Sequence, residues 1–209
     1  MKLCMFSPRD RDLERGWPGR IEGDTVVQLA AQTLQAFFTG GGQAREHAEF
    51  PLAEVVFLPP VLHPPAVRIF SAGDFAFANP AAILGPEDAV RLPEGAEELV
   101  PFLRQTAIVG ADGAVGAYTQ LVEWTAPALS GAKLNDFALT LGPVAVTPDE
   151  APGMRWDPLV ELAAQNTHLR PGDLLAEPVA EAFAPLRAGD VVEAGMEPFG
   201  VLRLRVEAA

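Results

Sequence analysis

The stretch QTAIVGADGAVGAYTQLVEW, residues 105–124, decides the fold. Two apolar arms, QTAIVG (105–110) and AVGAYTQLVEW (114–124), flank the pair Asp112-Gly113. An Asp-Gly pair tolerates positive φ angles at the centre of a turn, and such a pair between apolar arms is typical of a β-hairpin. We therefore predict two antiparallel strands joined by a tight turn.

Short apolar segments separated by turn residues continue this pattern on both sides of the hairpin. The turns RPGDLL (170–175) and RAGDVV (187–192) should each start a strand. Other strands are predicted at KLCMF (2–6), DTVVQL (24–29), VRIFSA (67–72), DFAFA (74–78), AAILG (81–85), FALTLG (137–142), VAVT (144–147) and VLRLRVEA (201–208).

Helical patterns are rare in the chain. Residues 29–38 have helical spacing and stop at Gly40-Gly41-Gly42, which cannot continue a helix cheaply. Asp157-Pro158 offers an N-cap with proline in the first turn, which predicts a helix to about Gln165. We predict a mainly β protein of the α+β class, with a small N-terminal lobe over residues 1–50 and a β-rich domain over residues 51–209.

Charge and cysteine content narrow the range of partners. The 209 residues include 15 basic and 28 acidic side chains, a net charge of −13, which repels phosphate backbones and argues against a nucleic-acid partner. Cys4 is the single cysteine and cannot form an internal disulfide, which suits a reducing compartment. The apolar run at the N-terminus is far too short for a signal sequence, and no stretch approaches a membrane span. We predict a soluble cytoplasmic protein without a membrane partner.

Residue spacing alone identifies no chemistry. His47, His63 and His168 lie far apart, and the chain has neither a His-x-x-x-His nor a Cys-x-x-Cys pair, so a zinc site has little support. Ser71 and Ser130 lack the Gly-x-Ser-x-Gly context of a hydrolase nucleophile.

One apolar segment, KLNDFALTLGPVAVTPDE (133–150), begins with an unexpected charge pair. Lys133 is one of two lysines in the chain, and Asp136 follows three residues later. The local interpretation is an exposed cation whose aspartate is a neighbour or a turn former.

Six segments in the same order resemble the fumarylacetoacetate hydrolase family, which includes bacterial fumarylacetoacetases and 2-hydroxyhepta-2,4-diene-1,7-dioate isomerases. The resemblance runs from about Pro59 to Val206, and no single piece of it is specific. The segments are LPPVLHPPAVRIFSAG, FANPAAILGPEDAVRLP, GAYTQLVEW, KLNDFALTLGPVAVTPDE, LRPGDLL and LRAGDVVEAGMEPFGVLRLRV.

The resemblance implies a fold of rolled mixed sheets, a β-roll, and a homodimer. Enzymes of this family hydrolyse or rearrange carbon–carbon bonds in β-dicarbonyl and 2-oxo acids. They use a divalent ion, Mg, Mn or Ca, held by two glutamates and an aspartate, with a histidine–glutamate pair on a short helix to activate water. A lysine that faces the substrate corresponds to Lys133, and its companion aspartate corresponds to Asp136.

The chain departs from the family at the metal ligands. Phe102 and Arg104 align with the two glutamates, and Glu123, the one surviving aligned ligand, with the aspartate. The histidine helix expected after RIFSAG is missing. An arginine about 5 Å from a divalent cation opposes its binding by roughly 6–7 kcal/mol at an effective dielectric near 20. We therefore expect a shortened, degenerate member that needs no metal cofactor.

Two interpretations of function remain open. The missing histidine segment favours a non-catalytic binding or assembly protein. The retained Lys133 favours an enzyme with a rebuilt site, in which Glu123 acts as base, Lys133 stabilises an enolate and Arg104 replaces the metal charge. In either case we expect Arg104, Lys133 and Asp136 to be the residues that contact a small carboxylate or dicarbonyl ligand.

Overall fold

The computed structural model describes residues 1–11, 13–178 and 181–209 and consists mainly of β-strands. Two short α-helices, α1 (Leu34–Thr39) and α2 (Asp157–Ala164), accompany them. The strands are β1 (Lys2–Pro8), β2 (Trp17–Glu22), β3 (Thr25–Leu29), β4 (Glu46–Pro51), β5 (Val55–Leu58), β6 (Val67–Ser71), β7 (Asp74–Ala78), β8 (Ile83–Leu84), β9 (Ala89–Arg91), β10 (Val100–Val109), β11 (Val115–Thr125), β12 (Leu139–Leu141), β13 (Ala145–Val146), β14 (Leu174–Ala176), β15 (Glu181–Ala182), β16 (Val191–Gly195) and β17 (Val201–Glu207).

The predicted central hairpin is present. Strands β10 and β11 pair antiparallel from Val100 opposite Thr125 to Val109 opposite Val115. At the turn Asp112 has a φ angle of 55° and Gly113 one of 76°, the left-handed conformation that the Asp-Gly pair predicts. The hairpin is longer than the sequence indicated, because β10 begins at residue 100.

One large sheet contains most of the strands, in the order β4-β3-β2-β1-β13-β11-β10-β14-β6-β7. The β14–β6 and β12–β8 pairs are parallel while their neighbours are antiparallel, so the sheet is mixed. Strands β16, β17 and β9 form a second, smaller sheet. The predicted fold class, a β-rich roll of mixed sheets with few helices, is confirmed.

Strand β1 connects the first 50 residues to the rest of the large sheet. It pairs with β2 on the N-terminal side of residue 50 and with β5 and β13 beyond it. The division into a lobe of residues 1–50 and a domain of residues 51–209 therefore remains a prediction. Neither described helix is long and apolar enough to cross a membrane.

Two turns, Pro-Gly-Asp and Ala-Gly-Asp, start strands as predicted, and each is stabilised by the same kind of aspartate hydrogen bond. An Asp173 carboxylate oxygen accepts a hydrogen bond from the backbone N–H of Arg170 at 3.1 Å, and Asp190 accepts one from that of Arg187 at 2.8 Å. An aspartate that binds a nearby backbone N–H stabilises a tight turn. Strands β14 and β16 follow these turns.

The helix boundaries differ from the prediction. Helix α1 begins at residue 34 rather than 29, because Leu29 still pairs with β4 and the Thr33 hydroxyl caps the helix by accepting from Ala36 N–H at 3.1 Å. Helix α2 has Trp156 as its N-cap, and Asp157 is already helical. Strand β4 follows the glycines, at Glu46–Pro51.

The β10–β11 hairpin separates two hydrophobic layers. On one face, Ile108 and Leu121 pack with Leu3 and Leu34 from the N-terminal segment. On the other face, Leu103 and Val122 pack with the small sheet through Leu202 and Leu204. Since side chains alternate along a strand, even-numbered residues of β10 face the first layer, and this face positions the candidate site.

Cys4 lies in β1 with no exposed surface, and burial raises the pKa of its thiol. Because the thiolate is the reactive form, we expect no reaction of the native protein with an aromatic disulfide reagent at pH 8, and one thiol per chain after denaturation. The variant Lys133→Cys, at an exposed position, should react rapidly under the same conditions. Stoichiometric labelling of the native wild-type chain within minutes would contradict the burial of Cys4.

Candidate functional site

The central hairpin brings three of the sequence-predicted positions onto one face of the sheet. Phe102 and Arg104 are two residues apart on β10, so their side chains point to the same side. Glu123 on β11 is directly opposite Phe102 in the strand register. Residues so placed have neighbouring Cβ atoms, so these three positions form one compact cluster.

Arg104 and Glu123 form a mostly buried ion pair. The Arg104 Nε and Nη2 atoms donate to Glu123 Oε2 at 3.0 and 2.6 Å. The Arg104 side chain is 11% exposed and that of Glu123 is 8% exposed. Removing two charges from water is costly unless their geometry and remaining hydrogen bonds compensate, so the further partners of this pair determine whether it is stable.

Those partners come from two loops. Asn135, just after the 3-10 turn Gly131–Leu134, donates its side-chain amide to Glu123 Oε1 at 2.7 Å. The backbone carbonyl of Glu177, after β14, accepts from Arg104 Nη1 at 3.1 Å. Both Glu123 oxygens and three guanidinium nitrogens are thus engaged, and the pair is fixed from three sides.

The Glu177 side chain itself is half-buried, and desolvation raises the pKa of its carboxyl group. Burial disfavours the charged form of an acid. The Glu177 carboxyl group is therefore easier to protonate than that of an exposed glutamate.

Lys133 and Asp136 lie at the rim of this site. Lys133 Nζ donates to Asp136 Oδ2 at 2.7 Å, with the lysine side chain 77% exposed and the aspartate 27% exposed. Asn79 holds the same turn by donating its amide to the Asp136 carbonyl oxygen at 2.9 Å. The local interpretation of an exposed lysine beside its aspartate describes this geometry, while the proposed roles in substrate binding remain predictions.

The residues at this position do not fit a divalent cation. Phe102 offers no donor atom, and Arg104 places a positive charge 2.6 Å from the one aligned carboxylate. Mg²⁺ and Mn²⁺ prefer several oxygen ligands, but here both oxygens of Glu123 already accept hydrogen bonds. Among residues 1–11, 13–178 and 181–209, no three His, Cys, Asp or Glu side chains are grouped to hold a metal ion.

Sequence reasoning missed two contributors to the site. Asn135 lies between Lys133 and Asp136, but no spacing rule indicates that its amide reaches Glu123 across the sheet. The Glu177 carbonyl is a backbone group, and its role depends on the pairing of β14 with β10, which places the end of β14 beside Arg104.

No family model matches the chain, and no curated protein sequence matches it. Solved structures do match, over the full length of the chain. Maleylpyruvate hydrolase from Sphingobium sp. SYK-6, in complex with manganese (II) ion and pyruvate, gives a TM-score of 0.79 at 19% identity, with 100% of both chains covered.

Two further structures show the same architecture. The 2-hydroxyhepta-2,4-diene-1,7-dioate isomerase from Mycobacterium marinum has a TM-score of 0.74 at 19% identity, covering 100% of this chain and 98% of its own. The 2-keto-3-deoxy-D-arabinonate dehydratase complexed with magnesium and 2,5-dioxopentanoate has a TM-score of 0.78 at 15% identity, covering 100% and 99%. At these identities the likeness establishes the fold, while function has to be argued from the site.

Proposed function

We propose that this chain, whose fold is that of the fumarylacetoacetate hydrolase family, uses that fold as a binding or assembly protein and has lost the family's metal-dependent chemistry. The observation that carries the proposal is the Arg104–Glu123 ion pair. A guanidinium group lies where the resemblance implies a divalent ion, and it neutralises the one carboxylate that could have held that ion.

With arginine at position 104, the positive charge at this site belongs to a side chain and not to an exchangeable metal ion. A divalent ion can accept substrate oxygens as additional ligands and stabilise an enolate as a Lewis acid. The Arg104 guanidinium carries one charge, and Glu123 and the Glu177 carbonyl oxygen already occupy three of its nitrogens. The guanidinium group therefore stabilises the structure of the site but has few free N–H groups with which to polarise a substrate.

The second candidate is a metal-independent hydrolase or isomerase that uses Glu123 as base and Lys133 as electrostatic stabiliser. Its support is that Lys133 and the Glu123 partner Asn135 lie two residues apart in the same loop. A general base must reach the proton that it removes, at about 2.6–3.2 Å. Glu123 would have to exchange a contact with Arg104 or Asn135 to do so, which makes this candidate the weaker one.

Titration calorimetry with MnCl₂ tests the metal part of the proposal. We expect no saturable heat for the wild-type chain, because one engaged carboxylate and an adjacent arginine form a poor donor set. The variant Phe102→Glu/Arg104→Glu carries three carboxylates on one sheet face and is expected to bind Mn²⁺ measurably. Circular dichroism verifies that the variant is folded.

Catalysis is tested separately, by the loss of ultraviolet absorbance of β-dicarbonyl acids such as oxaloacetate and acetopyruvate. The wild-type chain should show no turnover with or without added Mn²⁺. Turnover that Glu123→Gln abolishes would favour the rebuilt enzyme, and a wild-type dissociation constant for Mn²⁺ in the low micromolar range would contradict the proposed loss of the metal.

The remaining parts of the proposal rest on the family resemblance and on composition. They are a homodimeric state, a cytoplasmic location, and the absence of membrane and nucleic-acid partners. The net charge of −13 supports the absence of a nucleic-acid partner.

A further inference from the structure

A second cleft opens beside Met5 of the first hydrophobic layer. Its volume is about 660 Å³, within the range of small-molecule sites. Four segments line it: β1, the loop before β2, the start of α1 and the proline-rich connection between β5 and β6. Its apolar surface comes from Met5, Pro60 and Leu62.

The cleft and the Arg104 site share no residue. Gln35 lines the cleft, and a Cβ atom at Gly172 would lie 2.6 Å from Gln35 Cγ, so the two residues are in contact. Gly172 N–H in turn donates to the carbonyl of Val109 at 2.8 Å. At this end of the cleft, Val109 is five residues along β10 from Arg104, roughly 16 Å in a strand. At the other end, Pro60 contacts Gly142, which follows the β12 residue paired with Leu121, opposite Arg104.

One wall of the cleft, the loop before β2, is anchored by a buried hydroxyl group. Ser7, which is buried, fixes the loop before β2 by donating to the Arg11 carbonyl at 2.7 Å and accepting from Leu13 N–H at 3.2 Å. Gly16 ends that loop with a φ angle of 63°, and a Cβ atom there would lie 2.5 Å from the Phe6 carbonyl oxygen. A side chain at position 16 would therefore displace the loop, and the conformation is tightly specified.

Arg15 contributes only hydrogen-bond donors to the cleft, whereas the uncharged polar groups can both donate and accept. Arg15 and His63 are exposed and make no ion pair or side-chain hydrogen bond within the described ranges. Thr33 and Gln35 add a hydroxyl and an amide, and Glu14 is the one acidic group in the lining. An arginine presents five N–H donors in a planar fork that matches a carboxylate.

We propose that this cleft binds a small organic carboxylate with an apolar tail, the carboxylate on Arg15 and His63 and the tail against Met5, Pro60 and Leu62. This proposal assigns a ligand class to the binding role proposed above, but it depends on residues other than those of the Arg104 site. Turnover or metal binding at the Arg104 site would leave it intact, and its own failure would leave the Arg104 site unaffected.

Nitrogen-15 heteronuclear NMR of the full chain tests the proposal with three probes that share a six-carbon tail: sodium hexanoate, hexan-1-ol and hexylammonium chloride. We expect hexanoate to cause saturable shifts of amides at the cleft, and to bind at least fivefold more tightly than either of the other probes. The variant Arg15→Gln should weaken hexanoate binding at least fivefold. The matched control Arg155→Gln replaces an exposed arginine outside the cleft and should leave it unchanged.

Each alternative result has a definite meaning. Equal binding of hexan-1-ol would show an apolar groove without charge selection, and tighter binding of hexylammonium would show that Glu14 dominates. If Arg15→Gln and Arg155→Gln weaken hexanoate binding equally, the attraction is non-specific. If hexanoate causes no saturable shifts, the cleft is not a site for this ligand class. Any of these results overturns the proposal.

Discussion

Replacing Arg104 with methionine is expected to lower the free energy of unfolding by about 3–5 kcal/mol. The methionine fills similar apolar volume, but it leaves the Glu123 carboxylate, on a side chain only 8% exposed, with Asn135 as its remaining side-chain partner. An uncompensated buried charge is far more costly than the absence of the pair. Urea denaturation monitored by circular dichroism measures the change.

The double variant Arg104→Met/Glu123→Gln separates charge from packing. It removes both charges and retains a side-chain oxygen that can accept from Asn135, so most of the lost stability should return. Lys133→Met removes the lysine of an exposed ion pair in the adjacent turn and should change stability by no more than about 0.5 kcal/mol. A loss below about 1 kcal/mol for Arg104→Met would mean that water reaches Glu123 freely. The Arg104–Glu123 ion pair would then not be needed to stabilise the buried carboxylate.

Arg68→Leu is expected to cost a similar amount, about 3–5 kcal/mol, at a different buried pair. Arg68 Nη1 donates to Asp173 Oδ2 at 3.1 Å, with the two side chains 5% and 3% exposed. The guanidinium also lies 5.7 Å from the ring centroid of Phe75 and 5.2 Å from that of Phe77. Loss of the arginine removes the ion pair and two cation–π contacts, and leaves Asp173 buried and charged.

Asp173→Asn in the Arg68→Leu background should restore part of this stability, because the amide is neutral and its oxygen can still accept from Arg170 N–H. The control is Arg187→Leu, which breaks an exposed pair with Glu98 and should have an effect within about 0.5 kcal/mol. If Arg68→Leu and Arg187→Leu destabilise equally, burial of the Arg68 pair does not determine its contribution.

Local signals in the sequence were sufficient for the hairpin and for the turns. The Asp112-Gly113 pair and the two aspartates after glycine act through backbone contacts within a few residues, so their effect can be predicted without knowledge of the fold. The start of α1 could not be predicted in this way, because strand pairing at Leu29 overrides the helical spacing of residues 29–38.

Part of the candidate site could also be predicted from local signals in the sequence. Strand alternation and the hairpin register place Phe102, Arg104 and Glu123 on one face once the hairpin is known. The contacts that complete the ion pair, from Asn135 and the Glu177 carbonyl, join segments that meet only in the folded chain. Arg15 and His63 line one cleft from positions that no short motif connects.

The pairing of β1 with β13 has a consequence for synthesis on the ribosome. Lys2 pairs with Val146 and Leu3 with Ala145, so these two residues at one edge of β1 have no partner until the chain beyond residue 146 has emerged, whereas residues 5–8 of the same edge pair with β5 much earlier. At about 5–20 residues per second, that interval is on the order of 10 s. The first strands can pair among themselves in this time, so the edge left open to a neighbouring nascent chain is confined to the start of β1, and early pairing with β5 limits aggregation during translation.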